Sequence, residues 1–239
     1  MKRLITGIVL FLLTAPAMAA SLPAPLRPYE AKYILRIDEV PVAKSWMSLR
    51  PQKANEYLFR TVTKPMGIVA IFRDDVITEE TTLGMVDGTL RPLSIRYSHQ
   101  GIKHPQTGTA RFDWSTRTLT GKLGNEQFSY QDIKPDTDDS FSLQLKIMQA
   151  VARGEKQVEF DALEKTKLKH YAFQIVGREK LDTRLGEIET VHVRRIKDKP
   201  SYKTDAWYAP KYGYLPVRIR QQHKDESPLV LTIDSYQPL

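Results

Sequence analysis

The chain has 239 residues, 41% of them hydrophobic, no cysteine, and a formal charge of +8. Without cysteine there are no disulfides, thiolate metal sites or thiol nucleophiles, so stability must come from a packed core, which a chain of this length can bury. Residues 20–154 hold 18 basic against 15 acidic side chains and residues 155–239 hold 16 against 13, so the excess is spread evenly and forms no basic tail. Such a surface fits an anionic setting, lipid headgroups or envelope polymers, as well as plain solvation.

The first residues read MKRLITGIVLFLLTAPAMAA. Lys2 and Arg3 form a basic start, Leu4 to Leu13 a short apolar run, and Ala17-Met18-Ala19 a small-residue cleavage site. This is the pattern of a secretory signal peptide over residues 1–19, and the apolar run is shorter than the ~20 residues that span a bilayer. The expectation is export to a periplasm, with residues 20–239 as a single β-rich domain that is soluble and not membrane-spanning after cleavage.

Alternation of apolar and polar side chains then predicts strands. In YEAKYILRI, Ala31, Tyr33, Leu35 and Ile37 share one face, against Lys32 and Arg36. VAKSWMSLR and YLFRTVT follow. GIVAIFR, residues 67–73, is a short apolar run bracketed by Pro65, Gly67 and Asp74-Asp75, and reads as a short helix or loop. VITEETTL and LRPLSIRYSHQ flank Asp87-Gly88, a hairpin signal. ARFDWSTRTLTGKLGNEQFSYQ supplies two more strands.

Residues 136–155 change period: Phe141, Leu145, Met148 and Ala152 recur at helical spacing. Three aspartates at the start favour the helix dipole and free N–H groups, and Gly154 favours its end, so a helix is predicted over 139–153. Strands resume at KQVEFDAL, KLKHYAFQIVG, GEIETVHVRRI, KTDAWYAP, YLPVRIRQQ and LVLTIDSY. In WYAPKYGYLPVRIR, Pro210 to Gly213 makes a turn, and Leu215, Val217 and Ile219 alternate with Pro216, Arg218 and Arg220. Pro216 has no N–H, so its strand begins at an edge or pairs on one side only there.

The fold class expected is mostly β (α+β): a large curled antiparallel sheet, or open half-barrel, with one main helix plugging the concave face. Residues expected to line a cavity beneath the helix are Leu35, Phe72, Phe112, Phe141, Leu145, Met148, Phe173 and Trp207. Cations expected at its rim are Lys167, Lys169, Arg194, Arg218 and Arg220. The five histidines, His99, His104, His170, His192 and His223, show no helical metal-ligand spacing, and the turn flanked by His99 and His104 offers no nearby carboxylate, so no metal, catalytic residue or cofactor is expected. Asp74-Asp75 and Glu79-Glu80 are the paired carboxylates a glycoside hydrolase would need, but adjacent strand residues point to opposite faces.

Four stretches together resemble a family of exported bacterial proteins of unknown function: W-x-x-P with G-x-x-P-x-R-I at Trp207 to Ile219, F-D-W at Phe112 to Trp114, D-x-x-S in DTDDSFS, and E-x-L-x-T-x-x-G at Glu179 to Gly186. The hairpins also resemble the wider group of periplasmic lipoprotein carriers and outer-membrane lipoprotein receptors, half-barrels with helices over a hydrophobic cavity. That resemblance implies a non-enzymatic binder of a lipid, acyl chain or lipidated protein, or a chaperone-like envelope factor. No counterpart of the carriers' ligand-gating residues is identified, so it implies the plan rather than lipoprotein transport itself. The alternatives from the residues are an assembly factor for an envelope or secretion machine and, third, a hydrolase of envelope polymers. Export argues against nucleic acid as a partner.

Overall fold

The structure is a computed structural model that describes residues 22–53, 55–101, 105–196 and 202–239. The segment read as a signal peptide, and His104, lie outside the described residues. The first half of the chain is a meander: β1 (Tyr29–Ile37), β2 (Val40–Lys53), β3 (Glu56–Pro65), a short helix α1 (Val69–Phe72), β4 (Val76–Val86), β5 (Thr89–Gln100), β6 (Gln106–Asp113), β7 (Thr118–Leu123) and β8 (Glu126–Tyr130). The chain then crosses to β9 (Asp138–Asp139) and helix α2 (Leu143–Ala152). A second meander returns through β10 (Gln157–Glu164), β11 (Lys167–Thr183), β12 (Gly186–Ile196), β13 (Tyr202–Ala209), β14 (Leu215–His223) and β15 (Leu229–Pro238).

All 15 strands form one sheet in the order β8-β7-β6-β5-β4-β3-β2-β1-β15-β14-β13-β12-β11-β10-β9. The two meanders therefore join in the middle, where β1 pairs with β15 from Tyr29↔Pro238 to Ile37↔Leu229. Every pairing is antiparallel except the short parallel contact of β9 with β10. Twist accumulated over so many strands curls the sheet until its ends approach. They meet without a ladder of their own. Tyr130 Oη on β8 donates to the Thr166 carbonyl in the β10–β11 turn at 2.9 Å, and Thr166 Oγ1 donates to Glu126 at 2.8 Å. The result is a barrel closed along a seam of side chains.

The main core runs from Tyr29, Tyr33, Leu49 and Phe59 across to Val193, Tyr208, Leu215, Val217 and Ile233, with α2 inserted among them. Leu143, Leu145, Ile147, Met148, Ala150 and Val151 of α2 are all buried, so this helix is the expected plug. It starts four residues later than the spacing predicts, because Asp138 and Asp139 pair with Ala162 and Leu163 as β9. Asp139 caps the turn instead: its Oδ1 accepts from the N–H groups of Phe141 and Ser142 at 2.8 and 3.0 Å. Gly154 ends the helix at φ +74°. A second, smaller core holds Ile95, Ala110, Phe112, Leu119, Ile133 and Leu163 near the seam.

Other local expectations resolve simply. Asp87 and Gly88 both have positive φ, as a two-residue hairpin turn requires. Residues 69–72 form the short helix. Pro216 lies inside the sheet but opposes only Tyr208; the β14–β15 register begins at Arg218. The carbonyl of Pro216 accepts the Tyr33 hydroxyl at 2.9 Å in the buried interior.

Candidate functional site

Where the seam closes, the inner face is not filled. A cavity of about 230 Å³ is walled by Ile95, Ala110, Leu123, Phe128, Phe141 and Leu163; Glu79, Tyr97, Lys122, Glu164 and Lys165 line it too, with the neutral Gln106, Thr109 and Ser140. Both meanders contribute: β4 to β8 from one side, the β9–α2 link and β10 from the other. Strand parity places the lining. Glu79, Thr81 and Leu83 share the inward face of β4, while Glu80 points outward between Arg60 and Arg96, each at 3.0 Å. Opposite Glu79 across the sheet stand Tyr97 and then Gly108. A side chain at Gly108 would put its Cβ 2.8 Å from Leu123 Cδ1, so glycine leaves room for the Leu123 side chain in the lining.

The polar groups are held differently. Burial raises the Glu79 carboxyl above its ordinary value, against the Thr61 hydroxyl that donates to it at 2.7 Å. Burial and then the Glu79 charge raise the Tyr97 phenol, whose ring stacks with Phe141 at 6.3 Å. Glu164 is also pushed up by burial, but hydrogen bonds from Lys169 and Tyr171 win and hold it below the ordinary range. The cavity thus has an apolar wall, one acid biased toward its neutral form, and lysines at its margin. No histidine lines it.

Of the residues expected to line a cavity, Phe141 does so. Phe112 is buried in the small core beside it, stacked with Trp114 at 5.6 Å. Leu145, Met148 and Phe173 are buried in the main core. Leu35 is half-buried and pairs with Ala43 and Leu231, after a bulge between Lys32 and Tyr33 shifts the register of β1. Phe72 is 75% exposed on α1 and lines nothing. Trp207 is on the outer face: its ring stacks on His192 at 4.7 Å, and Nε1 donates to Glu179 at 2.6 Å.

Nor do the expected rim cations surround the cavity. Arg194 pairs with Asp205, Arg218 donates to the Asp182 carbonyl, and Arg220 donates to Gln222, all on the outer face around Trp207. Lys169 reaches the cavity only through its ion pair with Glu164, and Lys167 is exposed beyond the turn that carries Lys165. The cations that line it, Lys122 and Lys165, were not anticipated. His99 does have a carboxylate beside it, contrary to the sequence reading: the β4–β5 pairing brings Asp75 within 2.8 Å of its Nε2. Among the described residues no group of three or more His, Asp or Glu side chains is placed to hold a metal, and no helix is long and apolar enough to cross a membrane.

The four recurring motifs are structural. Asp113 of F-D-W accepts from Ser115 N–H at 3.0 Å and Thr116 N–H at 3.2 Å, closing the β6–β7 turn, while Trp114 Nε1 donates to the Pro92 carbonyl at 2.8 Å. In E-x-L-x-T-x-x-G, Glu179 holds Trp207, Leu181 is buried, and Thr183 bonds Leu185 and Gly186 across the β11–β12 turn. Gly213 of the third motif has φ +65° after the 3-10 turn Pro210–Tyr212. D-x-x-S closes the turn before α2, with Asp139 accepting from Ser142 N–H.

A solved structure confirms the architecture: a β-barrel-like protein of the domain of unknown function DUF1849 from Brucella abortus is 12% identical, with a TM-score of 0.58 over 90% of this chain and 98% of that one. At that identity the likeness is one of fold. No functionally curated protein matches the sequence. The model of the family described as "Protein of unknown function (DUF3108)" matches residues 28–234, nearly the whole sheet, and the chain belongs to that family.

Proposed function

We propose that the protein is an exported, non-catalytic binder of an apolar chain, the acyl part of a lipid or of a lipidated protein, acting in the cell envelope. The seam cavity is the observation that carries this reading. Six apolar side chains line it, and the ring of Tyr97 stacks on one of them, Phe141. About 230 Å³ takes a segment equal to about seven or eight water-sized units at ~30 Å³ each. At roughly 0.8 kcal/mol per buried methylene, such a segment supplies about 5–6 kcal/mol before ordering costs, so firm binding also needs contacts from Lys122 and Lys165 at the margin.

The test is native mass spectrometry of the protein taken from the envelope of its own cell, followed by organic extraction. A stoichiometric lipid that is lost on Phe141→Asp supports the reading. Phe141 is partly exposed, so that variant is expected to stay folded, which circular dichroism checks. A clean unliganded mass, with no binding of an apolar fluorescent dye, sinks it. A second reading, an assembly factor with no small ligand, draws support from the filled main core around α2. It expects crosslinks to an envelope protein and no effect of Phe141→Asp on them.

A further inference from the structure

Eight large apolar side chains are exposed among the described residues, and six of them, all but Val176 and Leu239, lie toward one end of the barrel. Ile37 and Val40 flank the β1–β2 turn, which is Asp38-Glu39, and Ile68 precedes the adjoining α1, which carries Ile71 and Phe72; their exposures are 39%, 51%, 65%, 76% and 75%. The two pieces are neighbours: Met66 N–H bonds the Val42 carbonyl at 2.9 Å, and Pro65 pairs with Ala43. Ile196, a sixth, ends β12 at the same end of the barrel, as the registers through His223 and Leu229 show. Helix α1 buries none of its residues, so its apolar side chains contribute nothing to the core. The same end carries the β7–β8 and β10–β11 turns, with Leu123 and Lys165, at the mouth of the cavity.

Just below this tip, the outer face changes character in one step. Lys44 and Lys64 face each other across β2 and β3, and neither they nor Lys32 forms an ion pair among the described residues. Beside them a groove of about 520 Å³ is lined by Trp46, Leu58, Val62, Lys32, Arg60 and Lys64. From the extremity inward the outer face runs from apolar side chains to the unpaired Lys44 and Lys64, with Trp46 and Lys32 two residues farther along, so a tip suited to hydrocarbon adjoins cations suited to headgroups. The lysines complement negative charge, as does the excess of the whole chain.

We propose that this end of the barrel docks on an anionic lipid bilayer, with the side chains of Ile68, Ile71, Phe72, Ile37 and Val40 entering the interface, the Asp38-Glu39 turn staying in water, and Lys44, Lys64 and Lys32 meeting the headgroups. The proposal does not depend on what fills the cavity, and its test is separate from the extraction above. The protein in its cellular form, its N-terminus established by mass spectrometry, is sedimented with vesicles of phosphatidylcholine alone or mixed with phosphatidylglycerol. The expected result is binding to the anionic vesicles that falls about tenfold or more in Ile71→Asp/Phe72→Asp. Lys44→Glu/Lys64→Glu is expected to reduce binding to the anionic vesicles and leave phosphatidylcholine binding unchanged. Both double variants change exposed or half-exposed side chains and should keep the parent's unfolding midpoint. Equal partition of the parent and Ile71→Asp/Phe72→Asp overturns the proposal. So does a folded parent that binds neither vesicle, including one whose tip instead pairs two copies of the chain, seen as a dimer that the same variant dissolves.

Discussion

Replacing Asp139 by asparagine should stabilise the protein, and more so as the pH rises. Asp138 and Asp139 are both buried, and Ser142 Oγ lies 2.7 Å from one carboxylate and 2.5 Å from the other. A hydroxyl has one proton, so two such contacts need a second proton, carried by a carboxyl. Lys146 lies 3.2 Å from Asp138, and Asp139 is the more completely buried of the pair. Burial, reinforced by the Asp138 charge, pushes Asp139 up to about 7. The relay is then Asp139 to Ser142 Oγ, and Ser142 to Asp138. The folded state holds this proton below about pH 7, whereas the unfolded chain releases it near the ordinary 3.8. Between those values the unfolded state binds fewer protons, so this group makes stability fall as pH rises, by up to about 1.4 kcal/mol per pH unit, and the loss is complete above pH 7. Asparagine can donate in place of the carboxyl proton and has nothing to lose. Urea unfolding at pH 5 and pH 7.5 should show the variant's advantage growing by about 2–3 kcal/mol, or about 1 M in midpoint for a slope near 3 kcal/mol/M. Parallel pH dependence in the two proteins would refute the relay.

Three further outcomes follow from the packing. Tyr33→Phe removes the donor to the buried Pro216 carbonyl and should cost about 1–3 kcal/mol in urea unfolding; a loss below about 0.5 kcal/mol would mean that this carbonyl finds another donor. Thr166→Val combined with Tyr130→Phe unfastens the seam, so amide exchange in β8 should rise while β1 and β15 stay protected; uniform exchange would show that closure does not depend on these bonds. Phe72→Ala should change stability by less than about 0.5 kcal/mol, as expected of an exposed side chain, and a larger loss would place Phe72 in the core after all.

The strands and the plug helix were legible because each repeats a local period. Parity placed the start of β1: Ala31 and Tyr33 share a buried face, whereas Ile37, put on the same face, is exposed beyond the bulge between Leu35 and Arg36. Trp207 was misplaced because its chemistry was read before its parity; it alternates with Ala206 and Tyr208 and shares the outward face with Asp205. Phe72 failed for a related reason, since four helical residues set no period. The cavity was not legible, because Glu79, Tyr97, Phe128 and Leu163 converge only when the sheet curls shut, and no local pattern records a seam between strands that do not pair. The four motifs read from the sequence close turns, which explains why they speak for the fold and leave the ligand unnamed.

The pairing of β1 with β15 at the centre of the sheet sets an order of assembly. The first strand waits on one side until the last has been made, because Ile34 meets Thr232 and Tyr29 meets Pro238. Each meander can form its own hairpins early, yet the halves cannot be joined until the C-terminal residues have left the ribosome. Contacts of such long range are closed late and slowly. A chain destined to pass through a translocation channel unfolded, as the proposed export would require, gains time from this arrangement: its own topology delays the finished barrel until synthesis is over.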